Sequence, residues 1–276
     1  MKVLFFCDTA GSFGNASRIS KVYEYVRSIS SDIAFCNLFN WHKSWRNCLK
    51  NHSLVFSTLR NIRTLDPAFI KSEAFISLAR DVLTKSLCTF RPDLIFAEET
   101  RTAYAAIQNK DRIPVMVDLH GLISSEYAEC PGASISNGHF HRLKEIEAEI
   151  SDKASHVFVV STNMKRFMEN EYSTDARKVS VVQNGSDLND ERARYRQPMR
   201  MVFGGCFNYW EDVDAFLDMS AQDKDSEYFL LGTGPLRTHI MKRIRCEGIK
   251  MNYLGSKDRH DTLKLFCGMG VGVAVH

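Results

Sequence analysis

Hydrophobic residues along this chain form short apolar runs that alternate with longer segments whose apolar positions recur at helical spacing. The first run, Val3–Cys7, is continuous and ends at Asp8, which is typical of a strand buried on both faces. Segment Glu73–Phe90 instead repeats its apolar residues every three or four positions, which predicts a helix packed against a sheet. The apolar side of this helix carries Ile76, Ala79, Leu83 and Leu87.

The same pattern continues through the first two thirds of the chain. Predicted strands are Val3–Cys7, Ile33–Leu38, Leu94–Ala97, Val115–Gly121, His156–Ser161 and Lys178–Gln183. Predicted helices are Arg18–Ile29, Glu73–Phe90, Thr102–Gln108, His139–Ala154 and Met164–Glu171. Strands that alternate with helices predict a parallel sheet covered on both faces.

Segment 186–200 is polar and has no apolar period, so we place a domain boundary there and expect domains 1–190 and 191–276. Predicted strands beyond it are Met201–Gly205, Tyr228–Gly232, Lys250–Leu254 and Val271–Val275. Predicted helices are Glu211–Ser220, Leu236–Cys246 and Arg259–Cys267. The expected fold class is therefore α/β, with two Rossmann-like doubly wound domains. Ligands of such folds bind beyond the carboxyl ends of the strands, so the loops there should line a shared cleft.

Composition narrows the class of protein. The net charge of +3 is scattered along the chain, which disfavours nucleic acid as a partner. None of the eight cysteines has C-x-x-C spacing, so reduced thiols in a cytoplasmic protein are expected. No stretch approaches the roughly 20 apolar residues of a membrane span. A peripheral membrane contact stays open.

Several strand ends carry candidate chemistry. His120 follows the clearest strand of the first half and could hydrogen-bond a sugar or polarise a reacting group; an ordinary strand-end histidine is the alternative. Glu98 and Glu99 end the neighbouring strand, where they could bind acceptor hydroxyls or lie solvated in a loop. Gly11 and Gly14 lie between a strand and a helix, where backbone amides can approach a phosphate, although a plain tight turn fits as well.

Two other classes of site receive little support. His139 and His141 are two residues apart and do not share a helix face, so no metal site is expected.

The turn from Gly232 to Pro235 is a second candidate anion or nucleoside turn. Neither glycine turn matches G-x-G-x-x-G, which argues against a nicotinamide-dependent oxidoreductase.

Taken together, the motifs resemble the GT-B-fold retaining glycosyltransferases of the large group-1 family, over essentially the whole chain. The segments that carry the resemblance are VDLHG (117–121), HVFVVSTNMKRFM (156–168), VVQNGSDL (181–188), MVFGGCFNYWEDVDAFLDM (201–219), YFLLGTGPLRTHI (228–240) and MNYLGSKDRHDTLKLF (251–266). The resemblance implies transfer of a sugar, with retention of configuration, from a UDP- or GDP-linked donor. It implies neither a metal nor another cofactor.

The resemblance also implies roles for particular residues. His120 is expected beside the transferred sugar as the catalytic residue, and the first domain is expected to hold the acceptor. Asn184, Gly185 and Asp187 match the hinge motif. The donor-binding residues that it implies are Gly11, Gly14, Gly205, Gly232, Gly234 and Lys257.

Two departures from the family pattern qualify this expectation. Cys206 and Glu211 stand where the family usually has an arginine and a lysine that bind the diphosphate. The chain also stops at His276, before the family's paired glutamates, so we expect an incomplete second domain. An unfinished sheet edge at Val271–Val275 would favour self-association.

Two functions therefore remain in competition. The first is a glycosyltransferase of surface polysaccharide assembly that uses a nucleotide sugar and a glycan or lipid-linked acceptor. The second is a non-catalytic or inactive fragment of such an enzyme that acts as a binding or assembly protein.

Overall fold

The computed structural model describes residues 1–7, 15–37, 73–109, 113–129, 138–185, 198–209 and 211–273. Its contacts divide the chain into two compact units. The first unit consists of Met1–Ala128 and Gly132–Gly185, and the second of Glu129–Pro131 and Ser186–His276. The division after Gly185 falls at the start of the polar segment 186–200.

The first unit alternates strands and helices around one parallel sheet. Its strands are β1 (Lys2–Cys7), β2 (Asp32–Asn37), β3 (Leu94–Glu98), β4 (Val115–Leu119), β5 (His156–Val159) and β6 (Val179–Val181). Its helices are α1 (Asn15–Ile29), α2 (Glu73–Phe90), α3 (Glu99–Ile107), α4 (Ile123–Ala128), α5 (Gly138–Lys153) and α6 (Thr162–Tyr172). The strand order is β2-β1-β3-β4-β5-β6, which places β3 and β4 at the centre.

Helices cover both faces of this sheet because every central strand is apolar on both sides. On one face, Val3, Phe5 and Cys7 pack with Ile19 and Val26 of α1. The opposite face of β1 joins a larger cluster with α2, α3, α5 and α6. That cluster includes Leu4, Phe6, Leu83, Ala103, Leu143, Ile146, Ile150 and Met168.

The second unit is a smaller parallel sheet in the order β10-β7-β8-β9. Its strands are β7 (Arg200–Cys206), β8 (Glu227–Thr233), β9 (Asn252–Gly255) and β10 (Val271–Gly272). Its helices are α7 (Val213–Gln222), α8 (Arg237–Cys246) and α9 (Arg259–Gly268). Its core contains Phe203, Phe207, Phe216, Leu217, Leu230 and Ile240.

These two parallel sheets confirm the predicted α/β fold class. The strand that was predicted to reach Gly121 ends at Leu119. Leu119 pairs with Val159, which is the last residue of β5. Strand β4 therefore has no pairing partner on β5 beyond Leu119. His120 therefore lies just beyond the sheet rather than inside it.

Two further expectations concern the cysteines and the membrane. Six cysteines lie in the described part of the chain, and Cys7 and Cys36 among them are buried. Within the described residues, no helix combines the length and apolar character needed to cross a membrane.

Candidate functional site

The carboxyl ends of β3 and β4 bring the predicted residues of the first unit together. Glu98 and Asp118 are register partners at the ends of these two central strands. His120 follows β4 by one residue, and Glu99 begins α3 directly after β3. The sequence placed these residues at neighbouring strand ends, and the parallel pairing of β3 with β4 makes them direct neighbours.

The imidazole of His120 is enclosed by carboxylates. Its Nε2 lies 3.0 Å from Oε2 of Glu98 and 3.4 Å from Oδ2 of Asp118. Its Nδ1 lies 2.9 Å from Oε1 of Glu99, although this close pair lacks hydrogen-bond geometry. The side chain of His120 is 7% exposed. We call Glu98, Glu99, Asp118 and His120 the His120 cluster.

Arg18 of α1 joins this cluster to the end of β6. Its Nε and Nη2 donate to the two oxygens of Asp118 at 2.9 and 2.7 Å, which is a bidentate pair. Its Nη1 donates to the carbonyl of Val182 and to Oδ1 of Asn184. A residue of the predicted hinge motif is thereby tied to the strand end that carries His120.

Burial and close charges shift the pKa values of the cluster in different directions. Burial raises the pKa of Glu98 to about 7, against the opposing hydrogen bond with His120. Burial alone would lower the pKa of His120, but the adjacent carboxylates of Asp118, Glu98 and Glu99 outweigh it and raise this pKa to about 11. At neutral pH His120 is therefore an imidazolium, and the pKa of Glu98 lies close to that pH.

These shifts predict that the first unit loses stability as the pH rises above 5. Folded Glu98 keeps its proton to about pH 7, whereas the unfolded residue releases it near its usual 4.5, so folding becomes less favourable between these values. His120 acts in the same direction between its usual 6.5 and about 11. Between pH 5 and pH 8, the free energy of unfolding of Glu98→Gln should therefore fall by about 3 kcal/mol less than that of the wild type.

Urea unfolding at several pH values measures this difference. The matched control is Glu145→Gln, which removes an exposed carboxylate of the same unit and should leave the pH profile unchanged. Equal pH profiles for wild type and Glu98→Gln would contradict the raised pKa of Glu98.

Glu99 adopts a backbone conformation that non-glycine residues seldom take. Its φ of +73° turns the chain sharply from β3 into α3. Such a conformation costs about 1–3 kcal/mol and persists only where the surroundings impose it, often at functional sites. The charge of Glu99 also acts on Glu126, whose pKa is raised to about 7, mainly by burial.

A buried carboxylate outside the His120 cluster, Glu147 of α5, supports the segment after His120. It accepts hydrogen bonds from the backbone N and the Oγ of Ser124 at the start of α4, and from the hydroxyl of Tyr172. Sequence reasoning missed this residue. A signal was present, because Glu147 interrupts the apolar stripe of Leu143, Ile146 and Ile150 with a carboxylate.

The His120 cluster has the donor types of a metal site but balances its charges without one. Glu98, Asp118 and His120 each place one ligand atom within 4.8 Å of the others. However, both oxygens of Asp118 accept hydrogen bonds from Arg18, and the surrounding carboxylates favour the protonated His120, which cannot bind a metal. When Glu98 carries a proton, the negative carboxylates of Asp118 and Glu99 face the positive side chains of His120 and Arg18.

In the second unit, the predicted glycines lie where the ends of β7 and β8 approach each other closely. Gly232 has a φ of +133°, and a Cβ there would lie 1.9 Å from the carbonyl oxygen of Gly205. A Cβ on Gly234 would lie 2.5–2.8 Å from backbone atoms of Phe207. Packing within the unit therefore requires glycine at both positions, independently of any bound nucleotide.

Gly234→Ala is expected to destabilise the second unit by about 1–3 kcal/mol, because rigid backbone atoms of Phe207 occupy the space of the new methyl group. Thermal unfolding of the full chain measures this effect. Gly268→Ala is the matched control, since a Cβ at Gly268 meets nothing within 4 Å. Identical unfolding curves for both variants would show that the loop can move away at no cost.

The charge of Glu211 acts on the thiol of Cys206, and these are the two positions at which the sequence departs from the expected diphosphate-binding pattern. Burial, and then the charge of Glu211, raise the pKa of the Cys206 thiol, which keeps the thiol neutral.

Lys257 follows β9 and is exposed. Arg237 begins α8, where its guanidinium lies 5.7 Å from the ring centroid of Tyr253. Sequence reasoning did not single out Arg237.

The structure thus places the predicted site residues in two groups. Glu98, Glu99 and His120 form one cluster in the first unit, to which Arg18 and Asp118 are added. In the second unit, Gly205 of β7 pairs with Gly232 of β8, and Gly234 packs against Phe207. Gly11, Gly14 and Asp187 lie outside the described residues.

Two parallel-sheet α/β units with charged and glycine-rich strand ends define the GT-B class of protein. The family described as Glycosyltransferase Family 4 matches residues 45–190, more than half of the chain. The chain therefore belongs to Glycosyltransferase Family 4. A search of curated proteins finds no match.

Solved structures with the same fold include a galactosyltransferase, a protein in complex with UDP-glucose and an epimerase. The lipopolysaccharide outer core galactosyltransferase WaaB, in its apo form, has a TM-score of 0.63 at 13% identity, covering 99% of this chain and 74% of WaaB. Anabaena HepE in complex with UDP-glucose has a TM-score of 0.57 at 14% identity, covering 93% of this chain and 69% of HepE. UDP-GlcNAc 2-epimerase from Neisseria meningitidis bound to UDP-GlcNAc has a TM-score of 0.55 at 14% identity, covering 96% of this chain and 75% of the epimerase. At these identities the likeness concerns the fold.

Proposed function

We propose that this protein is a glycosyltransferase that moves a sugar from a UDP- or GDP-linked donor to a glycan or lipid-linked acceptor, with retention of configuration. The observation that carries the proposal is the His120 cluster at the carboxyl edge of the central strands, in a chain of Glycosyltransferase Family 4. The UDP-glucose bound by HepE and the UDP-GlcNAc bound by the epimerase, two proteins of the same fold, support it.

Charged and polar side chains support a division of the two substrates between the units. The carboxyl oxygens of the His120 cluster can accept hydrogen bonds from sugar hydroxyls. We therefore propose that the first unit binds the acceptor. The exposed Arg237 and Lys257 supply positive charge at the carboxyl ends of β8 and β9, so the second unit is proposed to bind the donor.

The test is a transfer assay with a panel of UDP- and GDP-sugars, together with calorimetry of UDP and GDP binding. We expect one nucleotide to bind and its sugar to be transferred or slowly hydrolysed. Absence of both nucleotide binding and turnover with every donor would reject the proposal.

One observation favours the second candidate, a non-catalytic binding or assembly protein of the same fold. The neutral Cys206 and the nearby Glu211 stand where a diphosphate would need cations. This candidate predicts that a glycan binds while no nucleotide does. The same assay and calorimetry therefore separate the two functions. The cytoplasmic location, the peripheral membrane contact and self-association through the sheet edge stay predictions.

A further inference from the structure

The two ring nitrogens of His120 both face carboxylates of its own unit. Nε2 faces Glu98 and Asp118, and Nδ1 lies 2.9 Å from Oε1 of Glu99. With its side chain 93% buried among these groups, the ring offers no nitrogen to a ligand in this arrangement. His120 can therefore influence a substrate only through one of the carboxylates that it holds.

Solvent reaches these carboxylates very unequally. The side chains of Glu98 and Asp118 are 0% and 2% exposed, and Asp118 is also paired with Arg18. Glu99 is 20% exposed. Within the His120 cluster, Glu99 is thus the member that a substrate can reach without unpacking the sheet edge.

Two buried atoms of the cluster lack a hydrogen-bond partner among the described residues. They are Oε1 of Glu98 and Nδ1 of His120. Native proteins satisfy most buried polar atoms, and the exceptions often mark functional sites. The His120 cluster therefore keeps its charged groups close together although two of its buried atoms lack a hydrogen bond. Glu99 is the member of the cluster nearest to solvent.

The backbone of Glu99 supports the same assignment. A glycine would adopt its φ of +73° without strain, yet the chain carries a charged side chain at this position. The strained turn directs the start of α3 away from β3 directly beside His120. Strain that holds a charged residue at a strand end is the pattern expected of a substrate contact.

We infer that Glu99 is the residue that contacts the acceptor, accepting hydrogen bonds from its sugar hydroxyls. His120 is a positioning residue that holds the Glu99 carboxylate, and Glu98 orients the ring of His120 through Nε2. The inference rests on the proposed function and assigns the acceptor end to the class of neutral carbohydrate hydroxyls. An ionised carboxylate only accepts hydrogen bonds, so it suits hydroxyl groups and repels phosphate.

Transfer kinetics provide the first test. Glu99→Gln should raise KM for the acceptor by about 10–100-fold, the loss expected when a charged hydrogen-bond acceptor becomes neutral, and leave KM for the donor unchanged. Glu99→Asp should restore part of the acceptor affinity. Glu145→Gln, with an exposed carboxylate on α5, should behave as wild type. Unchanged acceptor KM in Glu99→Gln, with measurable wild-type transfer, overturns the inference and leaves the proposed function intact.

Direct binding provides a test that needs no turnover. Saturation-transfer NMR with the methyl glycosides of glucose, galactose and N-acetylglucosamine, in the presence of UDP, should show binding to wild type and to Glu145→Gln. Glu99→Gln should lose it. Glu99→Gly removes the carboxylate together with the backbone strain and serves as the variant that keeps the fold.

Each outcome of the binding test decides one proposal. Equal binding to wild type and both Glu99 variants, or no binding to wild type, rejects Glu99 as a carbohydrate contact. Binding that depends on Glu99, in a protein that neither binds nor turns over any nucleotide sugar, rejects the glycosyltransferase and retains Glu99 as a carbohydrate-binding residue.

Discussion

Replacing Arg18 with alanine is expected to lower the free energy of unfolding of the first unit by about 3–5 kcal/mol. The side chains of Arg18 and Asp118 are 10% and 2% exposed, so the substitution leaves a buried carboxylate without its principal partner. It also removes the hydrogen bonds from α1 to Val182 and Asn184. Urea unfolding at pH 7 measures the loss.

Three further variants separate the ion pair from a general effect of substitution. Arg27→Ala removes an exposed arginine of the same helix and should change stability little. Arg18→Lys should recover only part of the loss, because one ammonium cannot reproduce the bidentate pair. Asp118→Asn should restore part of the stability in the Arg18→Ala background, since it removes the buried charge that Arg18 neutralises. If Arg18→Ala unfolds like Arg27→Ala, Asp118 does not depend on Arg18.

Replacing His120 with alanine is expected to reduce transfer about 100-fold or more, the effect of misplacing a reacting group by about 1 Å. Glu98, Asp118 and Glu99 then lose the imidazolium that lies between them, so Glu99 loses a group that holds it. Initial rates with saturating donor measure this change. His141→Ala, with an exposed histidine of α5, is the matched control.

Two conservative substitutions show which contact of His120 matters. Asparagine can present an amide N–H near the position of Nδ1, towards Glu99, whereas glutamine can reach the position of Nε2, towards Glu98. If Glu99 contacts the acceptor, His120→Asn should retain more activity than His120→Gln. The opposite order would place the important contact at Glu98, and full activity of His120→Ala would make the histidine structural only.

Much of the fold could be predicted because local sequence patterns carry it. Val3–Cys7 is apolar at every position, and such a run can only be satisfied between two layers of helices. Ala79, Leu83 and Leu87 repeat at helical spacing and are buried as predicted. The predicted strand extended two residues too far at Gly121, because apolar pattern does not reveal where the neighbouring strand ends.

The candidate site could be predicted only in part. His120, Glu98 and Glu99 stand at strand ends, and the order of the strands makes such residues neighbours. Arg18 is 100 residues away from Asp118 in sequence, and a single arginine on a predicted helix has no pattern that names its partner. Glu147 could have been recognised as a carboxylate within an apolar stripe. Nothing in the sequence identifies Ser124 as its hydrogen-bond partner.

The sequence by itself determined the alternation of strands and helices, the buried character of the central strands and the glycines that the turns of the second unit require. These properties depend on residues close together along the chain. The tertiary structure alone decided that His120 is enclosed by carboxylates, that Arg18 holds Asp118 and that Glu99 is the exposed member of the cluster. Electrostatic interactions and burial depend on distances between residues far apart in sequence, and only the packed sheet sets those distances.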